Sequence, residues 1–254
     1  MSTLTVCFVY QAGDIAVKAR QLLESIRRFS STFTIYLGIP LPTEIYGVVP
    51  QDELDQLVRT HQVKILYFEN SISHTYKIGN KIQLLFEVSK VCEGPLLFLD
   101  SDILQLSPFL LTPQIVNSDL TMKLADARTY QYPSYLIEKY SLKKGEYLTT
   151  GTREKMVVPY CNAGFIFCGK SGLRKNFPAE WLRVAKELFN DQQVTNKFPW
   201  LDQIAIPIVV ELLKLELNLV GEEYNYPYHV RKNLREGIVF CHYHSLANLR
   251  RITS

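Results

Sequence analysis

Leu96-Leu97-Phe98-Leu99-Asp100-Ser101-Asp102-Ile103-Leu104 sets four large apolar residues directly against two carboxylates spaced i and i+2, and apolar sequence resumes at once. The first four read as a buried strand. Carboxylates are almost never fully buried unless they are paired or bind a cation, so two of them at the carboxyl end of a core strand point to a divalent metal. The competing reading is a strand end followed by a solvated turn, with Asp102 capping the next segment.

Upstream of this stretch the chain alternates between strand and helix patterns. Leu4 to Tyr10 is a short apolar, β-branched run, Gln11-Ala12-Gly13-Asp14 breaks it, and Ile15, Ala19, Leu22, Leu23 and Ile26 follow at helical spacing. Asp14 is the expected N-cap and Arg27-Arg28 suit the helix end. A second strand runs from Phe33 to Ile39 and should stop at Pro40 and Pro42, a helix covers about Gln51 to Thr60, and a third strand covers Val63 to Phe68. Such alternation predicts an α/β fold with a mainly parallel central sheet flanked by helices, whose ligands bind beyond the carboxyl ends of the strands. Tyr10, Gln11 and Asp14 stand at one of those ends, and Asp100, Ser101 and Asp102 at another.

Lys77 and Lys81 precede an apolar helix through Ile82, Leu84, Leu85 and Val88, and would share a face if that helix started early, which Gly79 opposes. Two lysines ordinarily mark a solvated face. In a first helical turn they oppose the helix dipole, which points instead to an anionic partner.

Downstream, Leu120 to Ala125 reads as a strand ending at Asp126. The tyrosine-rich segment from Arg128 to Val158 has no clear period and is too long for an ordinary connection, so it is expected to be a substrate-facing flap. Val157 to Gly169 is a strand interrupted at Asn162-Ala163-Gly164, a step that fits either a β-bulge or the close approach of a ligand to the backbone. A helix from about Pro178 to Asn190 turns Trp181, Val184, Leu188 and Phe189 to one face, and a second opens at Asp202-Gln203 with Pro207 as a kink near its start. Asp202 is either that helix's N-cap or a reactive carboxylate. Finally, Ile238 to His244 is an apolar strand whose two histidines, His242 and His244, would point to one face as candidate metal ligands.

The 254 residues fit a single domain, 1–254, because no low-complexity linker divides them. A formal charge of +3 with scattered basic residues does not imply a nucleic-acid partner, although a basic site for a phosphorylated small molecule remains compatible with it. Five cysteines without a CxxC pair read as free thiols of a reducing compartment rather than a zinc site, and the apolar run after Met1 is too short for a signal peptide or membrane span. A cytoplasmic protein is expected.

Taken in order, these pieces resemble the GT-A-fold glycosyltransferases, and most closely the retaining family that contains glycogenin and the bacterial galactosyl- and glucosyltransferases. The likeness runs from Leu4 to about His244. It is carried by Tyr10-Gln11-Ala12-Gly13-Asp14, Asn80-Lys81, the DXD motif Asp100-Ser101-Asp102, Leu124-Ala125-Asp126, Asn162-Ala163-Gly164, Asp202-Gln203, Tyr224-Asn225 and His242-Tyr243. DXD alone is a weak signal, but the ordered set is a specific one.

The resemblance implies a GT-A nucleotide-diphospho-sugar transferase fold. It also implies a manganese or magnesium ion held by Asp100, Asp102 and His242, and a UDP-sugar as donor. By similarity Tyr10 and its turn, with Gln11 and Asp14, would meet the nucleotide, and Lys81 would meet phosphate or ribose. Asn162, Gly164, Asp126, Asp202 and Gln203 would surround the transferred sugar and the acceptor, a carbohydrate, lipid or protein that the sequence leaves undefined. Asp202 is the expected carboxylate near the anomeric centre, with Gln203 beside it.

The glycogenin group typically follows its metal histidine with Gly-x-x-Lys-Pro-Trp, whose lysine binds diphosphate. Here the chain reads His244-Ser245-Leu246-Ala247-Asn248-Leu249-Arg250-Arg251, which leaves Arg250 or Arg251 to supply that charge. Two alternatives are weaker. A haloacid-dehalogenase-like phosphohydrolase would place Thr or Val where Leu104 stands and its motif near the domain start, and a non-catalytic nucleotide-sugar-binding protein would not need Asp100, Asp102, Lys81, Asp202 and a late histidine together.

Overall fold

The computed structural model describes residues 3–126 and 130–253. In chain order, β1 (Thr5–Val9), α1 (Asp14–Phe29), β2 (Thr34–Leu41), α2 (Thr43–Tyr46), α3 (Gln51–His61), β3 (Lys64–Glu69) and α4 (Gly79–Ser89) lead to β4 (Leu96–Leu99), the apolar run that precedes the two aspartates. After it come β5 (Ile103–Gln105), α5 (Pro113–Asn117), β6 (Leu120–Leu124), α6 (Ser134–Lys139), the short hairpin of β7 (Tyr147–Leu148) with β8 (Lys155–Met156), and β9 (Cys161–Cys168). The remainder is α7 (Lys170–Arg174), α8 (Phe177–Asn190), α9 (Leu201–Leu212), β10 (Leu217–Val220), β11 (Tyr226–Pro227), α10 (Tyr228–Arg231), β12 (Phe240–His242) and α11 (Leu246–Thr253).

The main sheet is seven-stranded in the order β10-β6-β9-β4-β1-β2-β3. Its β4-β1-β2-β3 half is parallel, and β9 runs antiparallel between β4 and β6. Continuous apolarity in β4 follows from burial on both faces. Leu96 and Phe98 pack into a cluster with Ile82, Leu85 and Val88 of α4 and with helices α8 and α9. Leu97 and Leu99 face the opposite cluster, with Leu22, Leu23 and Ile26 of α1. The chain then leaves this sheet at Asp100 and enters a second sheet, ordered β11-β12-β5. The two aspartates are therefore the joint between two sheets.

Several local expectations need correcting. β2 continues through Pro40, because Pro40 pairs with Phe68 of β3 while β1 has already ended opposite Gly38, so no ladder partner misses the absent N–H. Asp14 is the first residue of α1, not its cap; Gly13 holds the cap position with φ of 81°. Asp202 likewise lies inside α9, whose N-cap is Trp200, and Pro207 sits mid-helix. Lys77 lies ahead of α4 rather than in its first turn. β12 stops at His242, and His244 takes a left-handed φ of 62°.

Arg128, the expected start of the 128–158 excursion, lies outside the described residues; from Tyr130 onward the segment anchors some of its side chains in the core while much of it stays exposed. Tyr132, Leu136, Tyr140, Leu142, Met156 and Val158 are all buried in the α8/α9 cluster. Among the described residues no helix is long and apolar enough to cross a membrane.

Candidate functional site

Strand pairing brings His242 to the aspartates. β12 lies antiparallel to β5 with His242 opposite Ile103, and the Tyr243 N–H donates to the Asp102 carbonyl at 3.0 Å. His242 Nε2 then stands 3.0 Å from Asp102 Oδ1. The left-handed turn at His244 folds its ring back so that the two imidazoles stack at 4.0 Å, and His244 Nδ1 comes within 3.9 Å of Asp102 Oδ2. Burial would lower the His242 pKa, but the Asp102 carboxylate outweighs it and holds the ring above its ordinary 6.5. His244 is pushed the other way, down to about 3, by burial and by the neighbouring His242.

Asp100 faces a different partner. Lys81, in the first turn of α4, places Nζ 2.8 Å from Asp100 Oδ1 and 3.2 Å from Asp202 Oδ2. Burial alone would discharge this lysine, yet the two carboxylates together raise its pKa and keep the ammonium. Asp202 is only 1% exposed. Its backbone N–H donates to the Tyr76 hydroxyl at 3.0 Å, and Trp181 Nε1 donates to its carbonyl at 2.9 Å. A carboxylate this deep in the helix packing is held in place by tertiary contacts, not by a helix cap.

Asn162-Ala163-Gly164 proves to be a bulge: the β6 register jumps from Met122 opposite Ile166 to Lys123 opposite Asn162. The bulge also presses backbone onto the acids. Gly164 O accepts the Asp100 N–H at 2.8 Å, and a Cβ on Gly164 would lie 3.1 Å from Asp100 Oδ2 and 3.0 Å from Asn162 Oδ1. Asn225 Nδ2 donates to that Asn162 oxygen at 2.9 Å. Ser101, between the aspartates, donates its hydroxyl proton to the Val9 carbonyl at 2.6 Å and so pins the loop to the end of β1.

These groups line a cleft of about 450 Å³ that also holds Gln11, Lys77, Asn162 and Gln203. Four expected residues do not line it. Tyr10 is fully buried with its hydroxyl on Glu53, Asp14 is exposed on α1, and Asp126 is buried against Lys123 and Thr150. Gly164 stands behind Asp100 rather than in the wall. Arg250 and Arg251 are exposed on α11 and do not line the cleft either. A cation unforeseen from sequence does: Lys18 of α1, whose Nζ lies 3.8 Å from Asp102 Oδ2 and donates to the His244 carbonyl at 2.5 Å. Its signal was present, since Lys18 follows Asp14 by one helical turn at a strand's carboxyl end, but solvated lysines share that pattern. His229 was also missed; its ring meets His244 edge-on at 3.9 Å.

The donor set fits a divalent cation. Asp102, His242 and His244 each offer a ligand atom within 4.8 Å of the others, one carboxylate oxygen and two imidazole nitrogens, a mixed O/N set of the kind divalent first-row metals accept. Asp100 stands apart from this trio on Lys81, near enough for its charge to be felt by His242. Around the same cleft, buried Asn80 Oδ1 and Asn225 Oδ1 have no hydrogen-bond partner among the described residues. Buried polar atoms are normally satisfied, so such orphans suit a ligand site.

A mainly parallel sheet with paired acids beyond its central strand, and a late histidine folded onto them, defines a GT-A-fold glycosyltransferase. The chain belongs to the Rhodobacterales glycosyltransferase domain family, which matches residues 6–214. The structure is similar to GlyE of Streptococcus pneumoniae TIGR4, with a TM-score of 0.54 and 14% identity over 97% of this chain and 56% of GlyE. It is also similar to the galactosyltransferase LgtC in complex with donor and acceptor sugar analogs, with a TM-score of 0.57 and 14% identity over 96% of this chain and 88% of LgtC. The bifunctional glycosyltransferase WbbM gives a TM-score of 0.57 and 16% identity over 96% of this chain and 46% of WbbM. At these identities the likeness is one of fold, and the chain spans little more than half of GlyE. A search of curated protein sequences returns no match.

Proposed function

We propose that this domain transfers a hexose from a nucleotide-diphosphate sugar, most simply a UDP-sugar, to an acceptor hydroxyl, with a divalent cation bound and with retention at the anomeric carbon. The observation that carries the reading is the continuity of charge in one cleft, from Lys18 and the Asp102–His242–His244 trio to Asp100, Lys81 and Asp202. We assign Asp100, Asp102 and His242 to the cation, with His244 beside them. When bound, the cation neutralises charge that builds on the departing diphosphate. The chain's own residues do the rest. Lys81 is held charged where diphosphate and sugar would meet, Asp202 and Gln203 border the anomeric side, and Asn162 orients the sugar. Gln11 and Ser101, at the ends of β1 and β4, face the nucleotide.

Lys18 and Lys77 take over the diphosphate-facing charge expected of Arg250 or Arg251. Lys18→Gln should weaken manganese-dependent UDP binding about tenfold, the worth of one charge-assisted hydrogen bond, while Arg250→Gln/Arg251→Gln leaves it unchanged. Calorimetric titration of UDP against both variants checks this. We place the reaction in a reducing compartment, in keeping with five free cysteines.

The reading itself is tested by screening UDP-, GDP- and ADP-sugars for slow manganese-dependent hydrolysis, which needs no knowledge of the acceptor. Nucleotide release from one donor, abolished by chelation, is the expected result. No release from any donor, with no metal-dependent nucleotide binding, rejects it.

A further inference from the structure

A second cavity, of about 320 Å³, shares the Trp200 side chain with the charged cleft as a common wall. The two chambers differ in chemistry. The first is bordered by lysines, aspartates and histidines. The second is lined by Tyr130, Tyr160 and Trp200 and by Gln131, Pro133, Thr195 and Asn196, residue types that carry no charge at neutral pH. Lys197 stands in the same loop but turns its ammonium away, onto the carbonyls of Leu188, Phe189 and Asp191 at 2.9, 2.7 and 2.7 Å. Among the described residues the chamber lining is therefore neutral.

It is also built onto the helix that carries Asp202 and Gln203. Tyr130 donates its hydroxyl proton to the Thr195 carbonyl at 3.3 Å, which ties together the two loops that form the walls. Its ring meets Tyr132 edge-on at 5.0 Å, and Tyr132 donates to the Ile204 carbonyl of α9 at 2.9 Å. Trp200 caps α9 and is 39% exposed, so it lies open to solvent between the two cavities it lines. Tyr160, which lines the chamber, is itself buried, and its phenol pKa is raised by burial and then by the Asp202 charge.

We propose that this chamber is the acceptor subsite and that it takes a neutral glycoside, one sugar ring laid on Trp200 with its hydroxyls held by Gln131, Thr195 and Asn196. The inference rests on the transferase reading of the charged cleft. Aromatic faces bury the apolar C–H face of a sugar ring, amides and hydroxyls match its hydroxyls as donors and acceptors, and the volume falls at the small end of ligand pockets, roughly 300–1,000 Å³. Among the described residues that line the chamber, an anionic acceptor would find no compensating cation. In the transfer, the acceptor oxygen forms the new bond to the anomeric carbon and the bond from that carbon to the diphosphate oxygen breaks. The diphosphate keeps the electron pair and receives the hydroxyl proton.

The experiment is saturation-transfer NMR on the full chain with methyl β-D-galactoside, methyl α-D-glucoside, lactose and glucuronic acid as probes, alongside calorimetry with UDP and manganese. At least one neutral glycoside should bind, and glucuronic acid should not. Tyr130→Ala and Asn196→Asp, both outside the charged cleft, should each weaken that glycoside about tenfold and leave the UDP isotherm as in the wild type. Glycoside binding that is indifferent to both variants overturns the proposal, as does a wild-type chain that binds UDP but none of the glycosides, the result a lipid or protein acceptor would give. Glycoside binding that responds to the variants in a chain that binds no UDP upholds the neutral site and defeats the donor reading instead.

Discussion

Exchanging both Asp100 and Asp102 for asparagine should remove manganese-dependent UDP binding, a loss of at least about 10³-fold, since groups aimed at developing charge are worth about 10²–10³ each. Asparagine preserves the shape of both side chains and removes only their charge. The Asp102 oxygens face His242, His244 and Lys18, all donors or potential cations, so without its carboxylate the trio has no anionic ligand left to offset a dication. Asp100 plays the complementary part, because its pairing with Lys81 ties the cation side of the cleft to Asp202. Calorimetry with and without manganese, on a double variant shown by circular dichroism to be folded, decides the point. Unchanged metal-dependent binding would sink the assignment of these residues to the cation.

Asp202→Asn should lower kcat by about 10²–10³-fold while UDP continues to bind, again on the scale of a lost electrostatic partner at the reacting carbon. The side chain is almost wholly buried and its Oδ2 has Lys81 as its charged neighbour, so the substitution removes the negative charge that the proposal puts beside the anomeric carbon. Tyr76 and Trp181 grip the Asp202 backbone and would hold asparagine in the same place. Single-turnover measurement at saturating donor separates chemistry from binding. Full turnover in the variant would show that Asp202 only anchors Lys81.

Much of this site could be read from residues near one another in sequence. The apolar run closed by Asp100 and Asp102 announced a core strand with acids at its carboxyl end, and the structure puts that strand between β9 and β1, buried on both faces. Lys81 stood out as a cation at the start of an apolar helix, and Asp202, otherwise an ordinary cap, through the family resemblance. What failed were inferences about surface and solvent. Tyr10 looked like a ligand-facing residue at a strand end, yet it is buried with its hydroxyl on Glu53, and Tyr132 and Tyr140 of the tyrosine-rich segment are buried in the core. A tyrosine has an apolar ring and a polar tip, so its sequence neighbours do not say which end wins.

By itself, then, the sequence determined the alternation of strands and helices, the position of the acids at the end of the central strand, and the set of residues that could do chemistry. Those follow from local periodicity and from the cost of burying charge. Only the tertiary structure decided their partners. That Lys81 joins Asp100 to Asp202 depends on how α4 packs on β4 and α9 on β9, and that Lys18 reaches the trio depends on how α1 packs against β5. That His244 turns back onto His242 depends on one left-handed residue after β12. Each is a contact set by packing geometry and backbone conformation that no local pattern encodes.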